Sequence, residues 1–212
     1  MYSTRPVVLL PGLEAPRFYS PLSDTLVTRG GNLPHWEQHQ ATVFVTFRLS
    51  DSLPQGKLDE WKDEEAVWLA AHPEPWCEEV RRLHDELFCG RMEEWLDRGH
   101  GSCALKDPVL RAIVEDRLRY FDGVQYRLYA FAVMPNHVHV VFMPYEGFAV
   151  ASIVQAWKSV SARLLAQTGF ELKPVWQREY FDRYIRNGEH FDRAMRYTKR
   201  NDESISWWAC EG

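Results

Sequence analysis

Two histidines one residue apart, His137 and His139, are the first residues in this sequence whose type and spacing could do chemistry. They lie in the apolar run YAFAVMPNHVHVVFMP, residues 129–144. Successive side chains of a β-strand point to opposite faces, so both imidazoles are predicted to share one face, with Val138 and Val140 on the other. Two imidazoles at this spacing can bind one metal ion, whereas a pair of half-buried sheet histidines is the alternative.

A second pair, Tyr197 and Asn201, lies near the end of the chain, four residues apart in a predicted helix over 190–201. That spacing puts both side chains on one helix face. A metal held by His137, His139 and the Asn201 amide could polarise a phosphate oxygen. The Tyr197 phenolate could then attack phosphorus, forming a phosphotyrosine and a free hydroxyl. Ring packing for the tyrosine and helix termination for the asparagine are the alternatives.

Strand and helix patterns define the elements that must position these residues. Alternation and β-branched composition predict β-strands at 41–49, 124–133, 137–143 and, by composition, 175–185. Helical spacing of apolar residues predicts helices at 57–71, 76–97, 108–120, 148–169 and 190–201.

This order of elements predicts an α+β fold. Without an insertion at about 55–98 and without the last helix, it is β-α-β-β-α-β, the ferredoxin-like arrangement with an antiparallel sheet. The helical insertion follows the first strand, and the C-terminal helix carries Tyr197. Residues 1–40 are predicted to be an irregular N-terminal arm, and residues 41–212 a single domain.

Composition and charge narrow the classes of protein. No window approaches the roughly 20 apolar residues of a membrane helix, and the four cysteines form no CxxC pair, so a cytoplasmic protein with reduced thiols is expected. The net charge of −5 disfavours a wholly basic nucleic-acid binder. However, residues 51–100 hold 14 acidic and 6 basic residues, whereas the rest holds 16 and 19. The acidic block is therefore local, and the rest of the chain permits phosphate binding.

Three segments together resemble one family. The run MPNHVHVV, the earlier strand ATVFVTFRLSDSLP and the tail WQREYFDRYIR…EHF…YTKRN are similar to the REP-associated tyrosine transposases, single-strand transposases of the HUH superfamily and Y1 type. The similarity extends from about Asn32 to Asn201. It implies a ferredoxin-like domain, single-stranded DNA and DNA hairpins as partners, and Mg²⁺ or Mn²⁺ as cofactor.

The resemblance also implies roles for individual residues. Tyr197 matches the catalytic tyrosine, and His137, His139 and Asn201 match the metal ligands. Tyr180 and Tyr184 compete for the catalytic role, but neither has an amide or acid four residues later.

Basic residues near the predicted fourth strand are the candidates for DNA contact. Lys158 lies on the helix after the histidine strand, and Arg178, Arg183 and Arg186 lie around the fourth strand. Phosphate contacts, with bases stacked on aromatic rings, are the expected mode for single strands. Solvated surface charge is the alternative for each of them.

The function expected from the resemblance is a nucleoid-associated transposase, a monomer or homodimer, that nicks and joins single-stranded DNA at REP-type hairpins through a 5′-phosphotyrosine. A domesticated DNA-binding protein with weak catalysis is the alternative. It is favoured by Asn201-Asp202, where the family usually has Asn-Pro, and Asp202 is then a second candidate ligand. A generic metal hydrolase is disfavoured, because no carboxylate follows the histidines at zinc-hydrolase spacing.

Overall fold

The computed structural model describes residues 14–20, 26–28, 35–38, 40–73 and 76–200. The β-strands are β1 (Leu26–Thr28), β2 (His35–Glu37), β3 (Val43–Arg48), β4 (Tyr126–Val133), β5 (His137–Pro144) and β6 (Phe181–Tyr184). The α-helices are α1 (Gln55–Ala71), α2 (Glu78–His84), α3 (Arg91–Asp97), α4 (Pro108–Arg119), α5 (Val150–Gln167) and α6 (Gly188–Arg200). None of the described helices has the length and apolar character needed to cross a membrane.

A four-stranded antiparallel sheet in the order β4-β5-β3-β6 forms the centre of the fold. β4 and β5 are joined by a short turn, whereas the connections through α4 and α5 are long. The order of strands and helices is that of a ferredoxin-like β-α-β-β-α-β unit. The predicted α+β class and antiparallel sheet are therefore confirmed.

The two faces of this sheet carry different layers because side chains alternate along each strand. Val43, Val45 and Phe47 of β3 belong to the main core, which also contains residues of α4 and α5. The opposite face is partly covered by α6, and a second, smaller cluster joins the sheet to that helix. Its buried members are Phe44, Tyr129, Val141, Met143, Ile185, Phe191, Ala194 and Met195.

The helical insertion between β3 and α4 has a small hydrophobic cluster of its own. The buried residues of this cluster are Leu53, Leu58, Trp61, Phe88, Met92 and Leu96. The single helix predicted over 76–97 is wrong in detail, because a π-helical turn at Asp85–Gly90 separates α2 from α3. π-Helical turns are uncommon and often accompany functional sites.

The two ends of the insertion are held together at one point. The Asp51 carboxylate accepts a hydrogen bond from the Ser102 backbone N–H at 2.7 Å. Gly101 has a φ of +85°, and a Cβ there would lie 2.4 Å from the Asp51 carbonyl oxygen. Only glycine fits this position, so the insertion leaves and rejoins the fold at a closed base.

Two other predictions need correction. The predicted strand over 175–185 is regular only at β6, because Trp176 forms a single bridge with Leu49 and then packs, with Tyr180, into the main core. The N-terminal arm is not wholly irregular, since β1 and β2 pair as a small antiparallel sheet.

Candidate active site

The two histidines of β5 lie side by side on the face of the sheet opposite the main core. Thr46 pairs with His139 and Arg48 pairs with His137 across the β3–β5 ladder. The two Nε2 atoms are 2.9 Å apart, and the rings meet edge to face with centroids at 4.6 Å. The alternation of the strand therefore places the imidazoles on one face, as the spacing predicts.

The Nδ1 atom of each imidazole has a polar partner. His137 Nδ1 lies 2.8 Å from the Asn136 side-chain oxygen. His139 Nδ1 lies 2.8 Å from the Thr46 hydroxyl. Such partners on the far nitrogen orient a histidine ring, and metal-binding histidines usually have them. Both Nε2 atoms consequently point toward each other and toward the same space.

Both rings are neutral at neutral pH. Burial lowers the pKa of His137 to about 3. Burial also lowers the pKa of His139 well below its ordinary value, and the neighbouring His137 adds to that shift. A neutral imidazole has one nitrogen lone pair available for a metal. The pair is thus in the protonation state that metal binding requires.

Tyr197 of α6 is next to this pair. Its ring meets the His139 ring edge to face with centroids 5.2 Å apart. Phe44 stacks on His139 at 5.4 Å and contacts Tyr197 at 6.0 Å, so the three rings form one aromatic cluster. A residue 58 positions along the chain from His139 is therefore brought to the histidine face by the packing of α6.

The donor set fits a divalent ion. Cis ligands of an octahedral ion, at ligand distances of about 2.1 Å, lie about 3 Å apart, and the Nε2 atoms lie 2.9 Å apart. Among the described residues, no group of three or more His, Cys, Asp or Glu side chains is placed to hold a metal ion. Asn201, predicted as the third ligand, and Asp202 lie outside the described residues.

The histidine face of the sheet is covered. His137 and His139 are both 0% exposed. The insertion covers them, because the Asn136 amide donates to the carbonyl oxygens of Leu96 and His100 at 3.3 and 3.0 Å. The Asp97 carboxylate at the end of α3 lies 3.8 Å from His137 Nε2, and its partial burial raises its pKa.

A cleft lies between this cover and the sheet. Its lining residues come from β3, α3 and β6, namely Phe44, Thr46, Met92, Leu96, Phe181, Asp182 and Arg183. The cleft contains Thr46, the direct partner of His139, so it leads to the edge of the histidine pair.

The other two tyrosines near β6 do not reach the histidines. Tyr180 and Tyr184 are 8% and 7% exposed and belong to the main core on the opposite side of the sheet. The Tyr184 hydroxyl also accepts a hydrogen bond from the Gln38 backbone N–H at 3.2 Å. Of the three tyrosines, Tyr197 is the one that the fold brings to the histidine pair.

The predicted DNA-contacting residues fall into two groups. Arg178 is exposed, and Arg183 and Arg186 are half-buried, with Arg183 lining the cleft. Lys158, the other candidate for DNA contact, is buried, at 6% exposure. Its ammonium donates to the Arg178 carbonyl at 2.6 Å, and burial lowers its pKa to about 8. Lys158 therefore holds the segment that displays Arg178.

Three residues of the site were not predicted from the sequence: Thr46, Asn136 and Asp97. Thr46 shares one face of β3 with Phe44 and Arg48, and this polar face, alternating with Val45 and Phe47, is the signal that could have placed it beside the histidines. The turn before β5 contains Asn136, whose amide oxygen can accept a hydrogen bond from a neighbouring imidazole N–H. Nothing local in the sequence indicates that Asp97 lies opposite His137.

Comparison with known proteins shows that the region around this site is similar to one family. Residues 105–201 match the family model of the IS200-like transposases. This range contains both histidines, Tyr197 and Asn201. A search of curated proteins finds no match.

Among solved structures, one similar to this chain is a REP-associated tyrosine transposase bound to a REP hairpin. It shares 14% identity and a TM-score of 0.41, over 77% of this chain and 67% of that one. A candidate transposase from Deinococcus radiodurans R1 shares 15% identity and a TM-score of 0.33, over 82% of this chain and 96% of that one. The family match over residues 105–201 confirms the resemblance to transposases that the sequence indicates.

Proposed function

We propose that this protein nicks and joins single-stranded DNA, with Tyr197 as the nucleophile and His137 and His139 as ligands of a divalent ion. The observation that carries the proposal is the contact between the Tyr197 and His139 rings at 5.2 Å, beside two Nε2 atoms 2.9 Å apart. The proposed nucleophile and the proposed metal-binding pair, from distant parts of the chain, are thus neighbours. The family match over the same residues supports it.

The reaction proposed is a transesterification at phosphorus. The Tyr197 oxygen forms a bond to the phosphorus of the scissile phosphodiester, and the bond to the 3′ oxygen breaks. The products are a 5′-phosphotyrosine and a free 3′-hydroxyl, which takes up the proton that the phenol loses. A bound Mg²⁺ or Mn²⁺ would supply charge stabilisation at the phosphate oxygens. We propose Asn201 as a further ligand, with Asp202 as the alternative.

A DNA cleavage assay tests the proposal. The substrate is a hairpin with a single-stranded foot, the type of DNA that the family resemblance implies, incubated with Mn²⁺ or with a chelator and analysed on denaturing gels. A nick and a covalent protein–DNA band that require Mn²⁺ are expected. Binding of the hairpin without a nick would favour the alternative, a DNA-binding protein without cleavage. The full burial of the histidines is the observation that favours this alternative.

DNA binding is expected to prefer single strands and to weaken with salt. Lys and Arg replace counterions on the phosphates, so the logarithm of affinity should fall linearly with the logarithm of salt concentration. We propose Arg178, Arg183 and Arg186 as contacts, with Lys158 acting through Arg178. In fluorescence anisotropy titrations, Arg178→Ala should reduce the salt slope by about 1.

The control for that titration is Arg82→Ala, which removes another exposed arginine, on the acidic insertion. It should leave the salt slope and the affinity unchanged. Equal affinity of the wild type for a duplex of the same sequence would contradict the preference for single strands.

The buried histidines require that the cover formed by α3 and its flanking loop move before DNA reaches them. The insertion is suited to such a motion, because all the buried members of its hydrophobic cluster belong to it, and its two ends meet at Asp51 and Gly101. Its cluster contacts the sheet through Phe181 of β6, whose ring lies 5.6 Å from that of Trp61. Its acidic surface, within the block of 14 acids and 6 bases over 51–100, also repels phosphates when it lies over the site. The proposed active form is therefore the form with α3 displaced.

Weakening the contact of α3 should raise the population of this open form. Met92 and Leu96 are 2% and 1% exposed, and both line the cleft above the sheet. Truncating one such side chain to alanine costs roughly 2–5 kcal/mol of packing. For Leu96→Ala we expect faster modification of His137 and His139 by diethylpyrocarbonate, measured by mass spectrometry, and cleavage faster by about tenfold or more.

Leu83→Ala is the matched control, since Leu83 lies in the same insertion but is 43% exposed. It should change neither histidine modification nor cleavage. If Leu96→Ala instead destroys cleavage while the histidines become accessible, the insertion is a necessary part of the active surface and does not act as a cover.

A further inference from the structure

We propose that Thr46 determines which nitrogen of His139 carries the proton, and that this allows the buried histidine pair to accept a divalent cation. The inference rests on the proposed function, because it concerns the same site. Thr46 is a positioning residue: its hydroxyl contacts His139 Nδ1 at 2.8 Å, on the side of the ring away from the two Nε2 atoms.

The protonation of His137 is set by Asn136. The Asn136 amide nitrogen donates to the carbonyl oxygens of Leu96 and His100, at 3.3 and 3.0 Å. Those two acceptors fix the orientation of the amide, so its oxygen is the atom that faces His137 Nδ1 at 2.8 Å. An amide oxygen only accepts, and Nδ1 of His137 must therefore carry the proton. Its Nε2 is left with a lone pair.

The protonation of His139 follows from that lone pair. The two Nε2 atoms are at hydrogen-bond distance, 2.9 Å, and two facing lone pairs would repel. Without a cation, His139 Nε2–H must therefore donate to His137 Nε2. The His139 Nδ1 is then bare, and it accepts the proton of the Thr46 hydroxyl.

A cation requires the other tautomer of His139. Both Nε2 atoms must then present lone pairs to the ion, so the single ring proton of His139 moves from Nε2 to Nδ1. The Thr46 hydroxyl rotates and accepts from Nδ1–H. A hydroxyl oxygen can both donate and accept at one position, whereas a single amide oxygen only accepts, a single amide nitrogen only donates, and a methyl group does neither. The ring stays neutral throughout, and no proton is gained or lost overall.

The surroundings make Thr46 the partner that His139 depends on. Thr46 is 4% exposed and His139 is 0% exposed, so water has little access as a substitute. Thr46 lies directly opposite His139 in the β3–β5 register, and Phe44 stacks on the ring at 5.4 Å. Replacement of Thr46 by valine would leave the Nδ1 lone pair without a donor in the cation-free form and the Nδ1–H without an acceptor in the cation-bound form. A buried N–H without an acceptor is tolerated less well than an acceptor without a donor. The loss is thus expected to fall on cation affinity.

The experiment compares the wild type with Thr46→Val, Thr46→Ser and the control Thr42→Val. Thr42 is also buried, at 0% exposure, and lies one residue before the same strand. Mn²⁺ affinity is measured by calorimetry, and ¹⁵N NMR of the imidazoles identifies the protonated nitrogen with and without Mg²⁺. We expect Thr46→Val to weaken Mn²⁺ binding by roughly ten- to a hundredfold. Thr46→Ser and Thr42→Val should bind close to the wild-type value.

In the NMR experiment, His139 of the wild type should carry its proton on Nε2 without Mg²⁺ and on Nδ1 with saturating Mg²⁺. The inference is overturned if Thr46→Val binds Mn²⁺ as tightly as the wild type, or if His139 keeps Nε2–H in saturating Mg²⁺. In those cases a wild type that still cleaves DNA with Mn²⁺ leaves the proposed function standing. A wild type that binds no Mn²⁺ and cleaves no DNA overturns the proposed function, and the inference with it.

Discussion

Replacement of Tyr197 by phenylalanine is expected to abolish covalent attachment of the protein to DNA. The substitution removes the only atom that could form the phosphotyrosine, while the ring that contacts His139 and Phe44 at 5.2 and 6.0 Å remains. Loss of a nucleophile in a site of this kind typically costs several orders of magnitude in rate, on the order of 10⁴-fold or more. DNA binding and thermal stability should remain near the wild-type values.

The measurement is a suicide DNA substrate incubated with Mn²⁺ and analysed on denaturing gels. Wild-type protein should give a covalent band, and Tyr197→Phe should give none. Tyr180→Phe and Tyr184→Phe are the matched controls, because both tyrosines are buried in the main core, away from the histidines. If either of these loses the band while Tyr197→Phe keeps it, Tyr197 is not the nucleophile, although the reaction class would stand.

His137→Ala is expected to abolish both Mn²⁺ binding and cleavage, with a rate loss of about 10³-fold or more, because a ligand of the proposed ion is removed. The fold will not be left untouched, since His137 is 0% exposed and its Nδ1–H satisfies the Asn136 oxygen at 2.8 Å. A buried acceptor without its donor costs roughly 1–3 kcal/mol. A fall of several degrees in the melting temperature should therefore accompany the lost activity.

A half-buried histidine outside the proposed active site separates these two effects. His84 of the insertion is 15% exposed in its side chain and lies 3.0 Å from the Glu65 carboxylate, far along the chain from the proposed active site. His84→Ala should lower the melting temperature while Mn²⁺ binding and cleavage persist. Should His137→Ala retain Mn²⁺-dependent cleavage, the metal-binding role of the pair would be wrong, whatever its effect on stability.

The sequence alone determines those features that depend on local periodicity. A strand alternates its side chains, so the spacing of His137 and His139 already requires a shared face, and Val138 and Val140 take the other. The turn between β4 and β5 is short, which leaves little choice but an antiparallel hairpin. For the same reason the α+β class and the main helices could be predicted, whereas strand and helix ends shifted by a few residues.

The tertiary structure alone decides which distant residues meet. Tyr197 and Tyr184 are both plausible from the sequence, but α6 packs on the histidine face and Tyr184 points into the main core. From the sequence Lys158 resembles a surface cation, whereas in the structure the packing of α5 buries it. In each case the position of the side chain depends on contacts between elements far apart in the chain. Side-chain spacing within one element does not report those contacts.

The burial of the active-site pair is the clearest example. His137 and His139 lie on a face that the ferredoxin-like unit alone would leave partly open, and the sequence correctly indicates their shared face but not their exposure. The cover comes from an acidic insertion, through the Leu96 carbonyl and the Asp97 carboxylate. The apolar side chains of that insertion and its closed base hold it against the sheet. Such packing depends on both contacting surfaces, so the sequence of the insertion alone does not reveal it.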